Sequence, residues 1–292
     1  MAYPEDLRQM VDDHLETVHF SHGAGPDGAD TTGLDEAMRY SLLAGGKRIR
    51  PVLCLATARA IGQEPGEYIE AASALEMVHT YSLVHDDLPA MDDDDLRRGQ
   101  PTSHVKFGEA VAILAGDGLF AEAIGALAAV QAPPERIVEA VGLLSAATGV
   151  EGMVGGQYID VSAQALDAEG LRHLHSLKTG RLIKASVEVA LALGGVENTR
   201  REPFHRFATS IGLLFQIVDD ILDVTGSDEE LGKPHGSDER HGKVTYVSLY
   251  GLEQARSLAA ESHEKALAAL AGAGGETEDL KRIADYIYSR EQ

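Results

Sequence analysis

Across 292 residues the sequence has one cysteine, Cys54, and no tryptophan. A single cysteine cannot close an intramolecular disulfide, which excludes a disulfide-stapled scaffold and fits a reducing, cytoplasmic setting. Cys54 lies in the apolar run Val52-Leu53-Cys54-Leu55 and reads as a core residue. Cations are scarce as well: 25 Lys and Arg stand against 47 Asp and Glu, a formal net charge of −22. Such a chain repels nucleic acid and anionic membrane surfaces. The acid excess reads as a solvated surface, or more sharply as adaptation to a salty cytosol. No uninterrupted apolar run reaches the roughly 20 residues that span a bilayer, so membrane insertion is not expected. The N-terminal residues lack a basic segment followed by an apolar one, so no secretory leader is expected. No clear alternating strand pattern appears.

What is present is helical. Apolar residues recur with helical spacing over Leu34 to Leu43, Ile69 to His85, Phe107 to Val130, Arg136 to Gly149, Ala185 to Leu193 and Phe204 to Val224. Gly45-Gly46 ends the first of these, and Pro51 sits where it can open the next. Two glycine-containing loops, Ser21 to Gly33 and Ala271 to Glu278, are too short to be domain linkers. The expectation is an all-α fold with one domain over residues 1–292.

Two acidic segments carry chemistry. The first holds six aspartates between Asp86 and Asp95, at the end of a long apolar helix and just before Arg97 and Arg98. Clustered carboxylates favour a hard cation such as Mg²⁺ that shares substrate phosphates, and arginines suit phosphate oxygens. On an ideal helix Asp86 and Asp92 would point about 120° apart. Pro89 disrupts the helix. The helix is therefore expected to end or bulge there and let Asp92 swing back toward Asp86. The second segment places Asp219 and Asp223 one helical turn apart, with Asp220 between them. Acids inside an apolar helix are costly unless a cation or a solvent-filled cavity compensates them.

Three basic clusters complete the pattern: Lys47-Arg48-Ile49-Arg50 after Gly45-Gly46, Lys178-Thr179-Gly180-Arg181, and Lys233 with Lys243 beyond it. Each alone reads as a surface patch. Together with two metal-binding segments they suit two diphosphates, and they explain how so acidic a chain would bind anions.

These residues resemble the trans-isoprenyl diphosphate synthases, and the bacterial farnesyl type in particular. GGKRIRP, HDDLPAMDDDDLRRG, GGQYID, KTG, FQIVDDILD and GKPHGSD occur in the family's order, from about Leu34 to the C-terminus. The resemblance implies antiparallel helices around a deep central cavity and a homodimer. It implies several Mg²⁺ ions, replaceable by Mn²⁺, held by Asp86, Asp87 and Asp92 on one wall and by Asp219, Asp220 and Asp223 on the other. Arg97, Lys178 and Lys233 would hold the allylic diphosphate. Lys47, Arg50, His79, Arg98 and Lys243 would serve isopentenyl diphosphate and its surroundings. Thr179 and Gln216 would present oxygens to the developing carbocation, with Gln157 and Asp160 in support.

Tyr81 and Ser82 fall five and four residues before Asp86, about 6–7.5 Å along a helix. In the family a bulky residue there limits product length, so Tyr81 implies a fifteen-carbon product. A slightly deeper cavity would give the twenty-carbon geranylgeranyl product instead. The C-terminal Arg290-Glu291-Gln292 lacks the final lysine common in relatives. Three rivals are weaker. A terpene cyclase would need no second diphosphate site, a metal phosphohydrolase would need more histidines on neighbouring helices, and an inactive regulatory subunit would have lost aspartates.

Overall fold

Three segments rich in Ala, Leu and Val, with few charges, bury most of their residues and become the inner helices. In the computed structural model residues 3–21, 23, 28, 30–162, 166–226 and 244–290 are described. Lys233 and Lys243 lie outside these residues.

The first half runs α1 (Glu5–Thr17), α2 (Thr32–Leu42), α3 (Ile49–Ala60), a 3₁₀ turn (Pro65–Tyr68) and α4 (Ile69–Asp86). A short hairpin follows, β1 (Leu96–Arg97) with β2 (Gln100–Pro101). Then come α5 (Ser103–Phe107), α6 (Glu109–Ala129), α7 (Pro134–Thr148), α8 (Met153–Val161) and α9 (Ala168–His175). A π turn (Ser176–Gly180) leads into α10 (Arg181–Leu193) and α11 (Asn198–Thr225). The chain ends with α12 (Tyr246–Tyr250), α13 (Leu252–Leu270) and α14 (Glu278–Ser289).

α3, α4 and α10 form the interior. Every residue of α3 except Arg59 is buried. α4 packs between α3 and α6, while α10 packs against α3, α7 and α11. Outer helices such as α1, α9 and α14 bury one stripe only. One hydrophobic cluster takes in buried residues from Tyr3 to Ile287.

Two details depart from the sequence reading. The expected helix from Phe107 to Val130 forms as α6 but starts two residues later, after Gly108, whose φ of +87° is open to glycine and strained for other residues and separates it from α5. And there is a strand pair after all. Arg98 (φ +53°) and Gly99 (φ +74°) form its two-residue turn, and positive φ at both positions matches the twist of a tight hairpin.

α6 is also long and apolar enough to cross a membrane by length and composition, with a mean hydropathy of 1.7 over an 18-residue window. Asp117 and Glu122 interrupt it. Ile113, Leu114 and Phe120 on this helix are 44%, 55% and 38% exposed.

Candidate active site

The end of α4 supplies the first wall. The helix stops at Asp86, and Pro89 starts a tight turn in which Met91 donates to the Leu88 carbonyl. The chain doubles back until the Asp92 amide donates to the Asp86 carbonyl at 2.9 Å. The two aspartates are thus brought together as the sequence suggested. Asp93 takes a φ of +53° to complete the turn.

Asp87 behaves differently. It is 3% exposed, and its carboxylate accepts from Arg97 Nε at 2.8 and 2.9 Å and from Nη2 at 2.5 Å. Burial pushes the Asp87 carboxyl up from its usual range, and the paired hydrogen bonds from Arg97 pull against that. The hairpin holds Arg97 in place: Thr102 Oγ1 donates to the Asp94 carbonyl at 2.8 Å, and Tyr40 on α2 donates to the Pro101 carbonyl at 2.8 Å.

The facing wall comes from α11. Asp219 is the exposed member, with a side chain 56% accessible. Asp220 and Asp223 are 2% and 5% exposed. Asp220 accepts from Gln216 Nε2 at 2.8 Å and from the Tyr246 amide at 2.7 Å. Protein N–H groups therefore compensate this buried acid, in addition to any cation.

Between the walls lies one cavity with two compartments. The mouth encloses about 750 Å³ and is lined by Lys47, Arg50, His79, Arg97, Arg98, Asp219 and Arg290, among others. The inner compartment encloses about 690 Å³ and is lined by Tyr81, Ser82, Asp86, Lys178, Thr179 and Gln216, with an apolar wall that includes Met153 and Val161. Arg50, His79, Arg97, Arg98, Phe215 and Asp219 border both.

The first basic cluster is split by function. Arg48, with a φ of +51°, turns inward. It donates to Glu76 at 2.6 Å, to Asp12 at 2.9 Å and to the Leu42 carbonyl at 3.0 Å, so although Arg48 and Glu76 border the mouth, its guanidinium is taken up by protein partners. Lys47 and Arg50 point into the mouth. Lys47 is lowered to about 8 by burial first and by Arg290 second, with Asp219 opposing. Arg50 is lowered to about 10 by burial and stays charged at neutral pH. Its buried Nε has no hydrogen-bond partner, which suits an incoming anion. His79 is held well below the usual histidine range, by burial first and then by Arg50 and Arg98, so it enters the site neutral.

Arg98 donates to the Gly45 carbonyl. Its guanidinium occupies the space over Gly46, where an added Cβ would come within 2.8 Å of it. The two glycines therefore do more than end α2: they make room for Arg98. Arg290 reaches the same mouth, 3.9 Å from Asp219 and over the Phe215 ring at 5.7 Å. The tail arginine thus reaches the site even though the final lysine of relatives is replaced.

The inner compartment depends on the π turn. Its wide coil sets Lys178 and Thr179 toward the cavity. Lys178 Nζ donates to Asp160 on α8 at 2.6 Å. An added Cβ at Gly156 would lie 2.3 Å from the Lys178 nitrogen, so α8 can approach this turn only as glycine. Thr179 Oγ1 donates to Gln216 Oε1 at 3.0 Å. Gln157 lines the same wall, with its amide nitrogen buried and unbonded. At the far end, the Tyr81 ring meets Phe120 of α6 edge-on, with centroids 5.3 Å apart. It meets His85 at 5.8 Å, and the His85 ring fits over Gly116.

Facing aspartates over a cationic mouth define a diphosphate-handling helical enzyme. The polyprenyl synthetase family profile matches residues 31–287, and the chain belongs to that family and is a trans-prenyltransferase. It is 48% identical over 268 residues to the chloroplastic heterodimeric geranylgeranyl pyrophosphate synthase large subunit 1 of Arabidopsis thaliana, covering 88% of this chain and 72% of that one. It is 44% identical to the farnesyl diphosphate synthase of Geobacillus stearothermophilus, covering 88% and 89%. Its fold matches a Helicobacter pylori geranyltransferase solved with magnesium and isoprenyl diphosphate, with a TM-score of 0.84, 32% identity and coverage of 99% and 98%.

Proposed function

We propose that the chain joins an allylic diphosphate, dimethylallyl or geranyl, to isopentenyl diphosphate and stops at farnesyl diphosphate. The observation that carries this is Tyr81, which lines the inner compartment about 7.5 Å along α4 from Asp86 and is braced edge-on by Phe120 of α6. A second reading, geranylgeranyl diphosphate, is favoured by relatives such as the Arabidopsis and Capsicum annuum synthases. Product analysis of Tyr81→Ala separates the two: the floor reading expects longer products than wild type, and an unchanged length contradicts it.

Mg²⁺ fits the donor set. Asp86, Asp92 and Asp219 offer carboxylate oxygens only, from two walls. Among the described residues no three acidic, histidine or cysteine side chains converge into a closed cage. An open site of this kind suits an ion that keeps waters and shares substrate phosphates, and Mn²⁺ accepts the same donors. When bound, the ions neutralise charge that gathers on the leaving diphosphate. Arg97, Lys178 and Lys233 hold that diphosphate, and Asp87 fixes Arg97 for the task. Lys47, Arg50 and Arg98 hold isopentenyl diphosphate, with neutral His79 as a hydrogen-bonding neighbour. Lys243, outside the described residues, is assigned to substrate binding by the same reading. Asp223 supports Asp219 from within α11. As the allylic C–O bond breaks, Thr179 and Gln216 face the developing cation with oxygen. The isopentenyl double bond then forms the new C–C bond, and a proton leaves to the released diphosphate. The apolar inner wall keeps out water that would trap the cation.

The reading includes a cytoplasmic homodimer. Leu114 on α6 is apolar and 55% exposed and suits contact with a second copy of the chain, beside Ile113, which borders the inner compartment, and Phe120, which packs on Tyr81. Sedimentation should give twice the 31.1 kDa chain mass, and Leu114→Glu should shift it toward the monomer. A monomer in the wild type contradicts this part.

A further inference from the structure

We propose that Asp220 is a positioning residue: it dictates that oxygen, not N–H, faces the reacting carbon, and it does not ligate metal. This rests on the prenyl-transfer reading of the site. Asp220 is 2% exposed and does not line the cavity, unlike its neighbour Asp219. Its two oxygens receive N–H groups from Gln216 at 2.8 Å and from the Tyr246 backbone at 2.7 Å.

A carboxylate can only accept hydrogen bonds. Gln216 must therefore turn its NH₂ toward Asp220, which leaves its carbonyl oxygen facing Thr179. Thr179 has one hydroxyl proton, and it is committed to that oxygen at 3.0 Å. The lone pairs of Thr179 are what remain for the cavity. The chain of bonds thus propagates one sign outward: from an acid that only accepts, through an amide, to a hydroxyl. Both cavity-lining groups offer the negative ends of their dipoles, as a carbocation requires.

Two structural features hold the relay. Tyr246 opens the five-residue α12, and its backbone N–H, at 2.7 Å, fixes one Asp220 oxygen. Gly212 on α11 lies against Gly180, where an added Cβ would sit 3.1 Å from the Gly180 Cα. That close approach keeps Thr179 within reach of Gln216.

The test is Asp220→Asn in the full chain. The Tyr246 backbone N–H cannot turn, so the amide oxygen of the substituted side chain stays with it and the new NH₂ faces Gln216. Gln216 must then flip and aim its own NH₂ at Thr179. The expected result is a fall in kcat on the order of a hundredfold, with KM for both substrates and the half-saturating Mg²⁺ concentration unchanged. Adding Gln216→Glu restores an acceptor on both sides and should recover most of the rate. A raised Mg²⁺ requirement with kcat restored at high Mg²⁺ would make Asp220 a metal ligand and overturn the proposal. Full activity of Asp220→Asn, or no recovery in the double variant, would also overturn it. If Asp220→Asn does not fold, Thr179→Ser and Thr179→Val decide: Ser should keep the rate and Val lose it, and equal loss in both contradicts the relay. Failure of the wild-type chain to join the substrates at all would instead strike the prenyl-transfer reading. The relay can then still be read without turnover, as a slowly exchanging Gln216 side-chain NH₂ in wild type that is lost in Asp220→Ala.

Discussion

Lys47, Arg48 and Arg50 are neighbours in the chain and belong to different parts of the physics. Arg48 is 4% exposed and neutralises Glu76, an acid 2% exposed in the middle of α4. Removing Arg48 strands Glu76 without its partner, and breaking a buried pair costs about 3–5 kcal/mol. Arg48→Ala should therefore lower the melting temperature markedly. Lys47→Ala should raise KM for isopentenyl diphosphate and leave melting unchanged. The reverse pattern in calorimetry and kinetics would contradict the division. Lys47 also sets a pH dependence. With its value lowered to about 8, its charge is present below that pH and lost above it. For the free enzyme, kcat/KM for isopentenyl diphosphate should fall as pH rises through about 8, and Lys47→Met should flatten that fall. A profile that is the same in both proteins would remove Lys47 from the site. Spacing alone could not sort these three cations, because the αL turn at Arg48 that points it inward has no signature in residue type.

At the scale of elements, much of the architecture is legible in the sequence. Helical periodicity marks α2, α4, α7, α10 and α11, and Pro89 foretells the turn that returns Asp92 to Asp86. Three features escaped. The π turn differs from an α-helix by one residue of coil and leaves no periodic trace. The hairpin has two residues per strand, too short for alternation to register. The split between α5 and α6 rests on a single residue, Gly108, between Phe107 and Glu109. The resemblance assigns all six motif aspartates to metal, with Asp87, Asp220 and Asp223 in lesser parts, yet Asp87 and Asp220 turn to Arg97, Gln216 and Tyr246. That sorting depends on tertiary partners, some of them far along the chain. The π turn offers its own check. Gly156→Ala would force a Cβ to 2.3 Å from the Lys178 nitrogen, so α8 and the turn must separate. The variant should lose stability by about 1–3 kcal/mol, as overpacking does, and should raise KM for the allylic substrate. A variant that matches wild type in both respects would show that the two elements can part at no cost.

At the scale of the molecule, a chain of formal charge −22 gathers its cations at one mouth and its apolar wall behind them. In the proposed reading the acids at the rim would recruit the metal that makes anion binding possible, so the global charge and the substrate charge would not conflict. What the whole molecule decides is how far a growing hydrocarbon can extend, and Tyr81, which lines the inner compartment with Phe120 packed against its ring, is the residue proposed to set that limit. The most direct measurement is chromatography of dephosphorylated products from the wild-type chain and Tyr81→Ala, each given dimethylallyl or geranyl diphosphate with isopentenyl diphosphate and Mg²⁺. The account predicts farnesol alone from wild type and longer alcohols from Tyr81→Ala. Geranylgeraniol as the main wild-type product, or farnesol from both proteins, would contradict it.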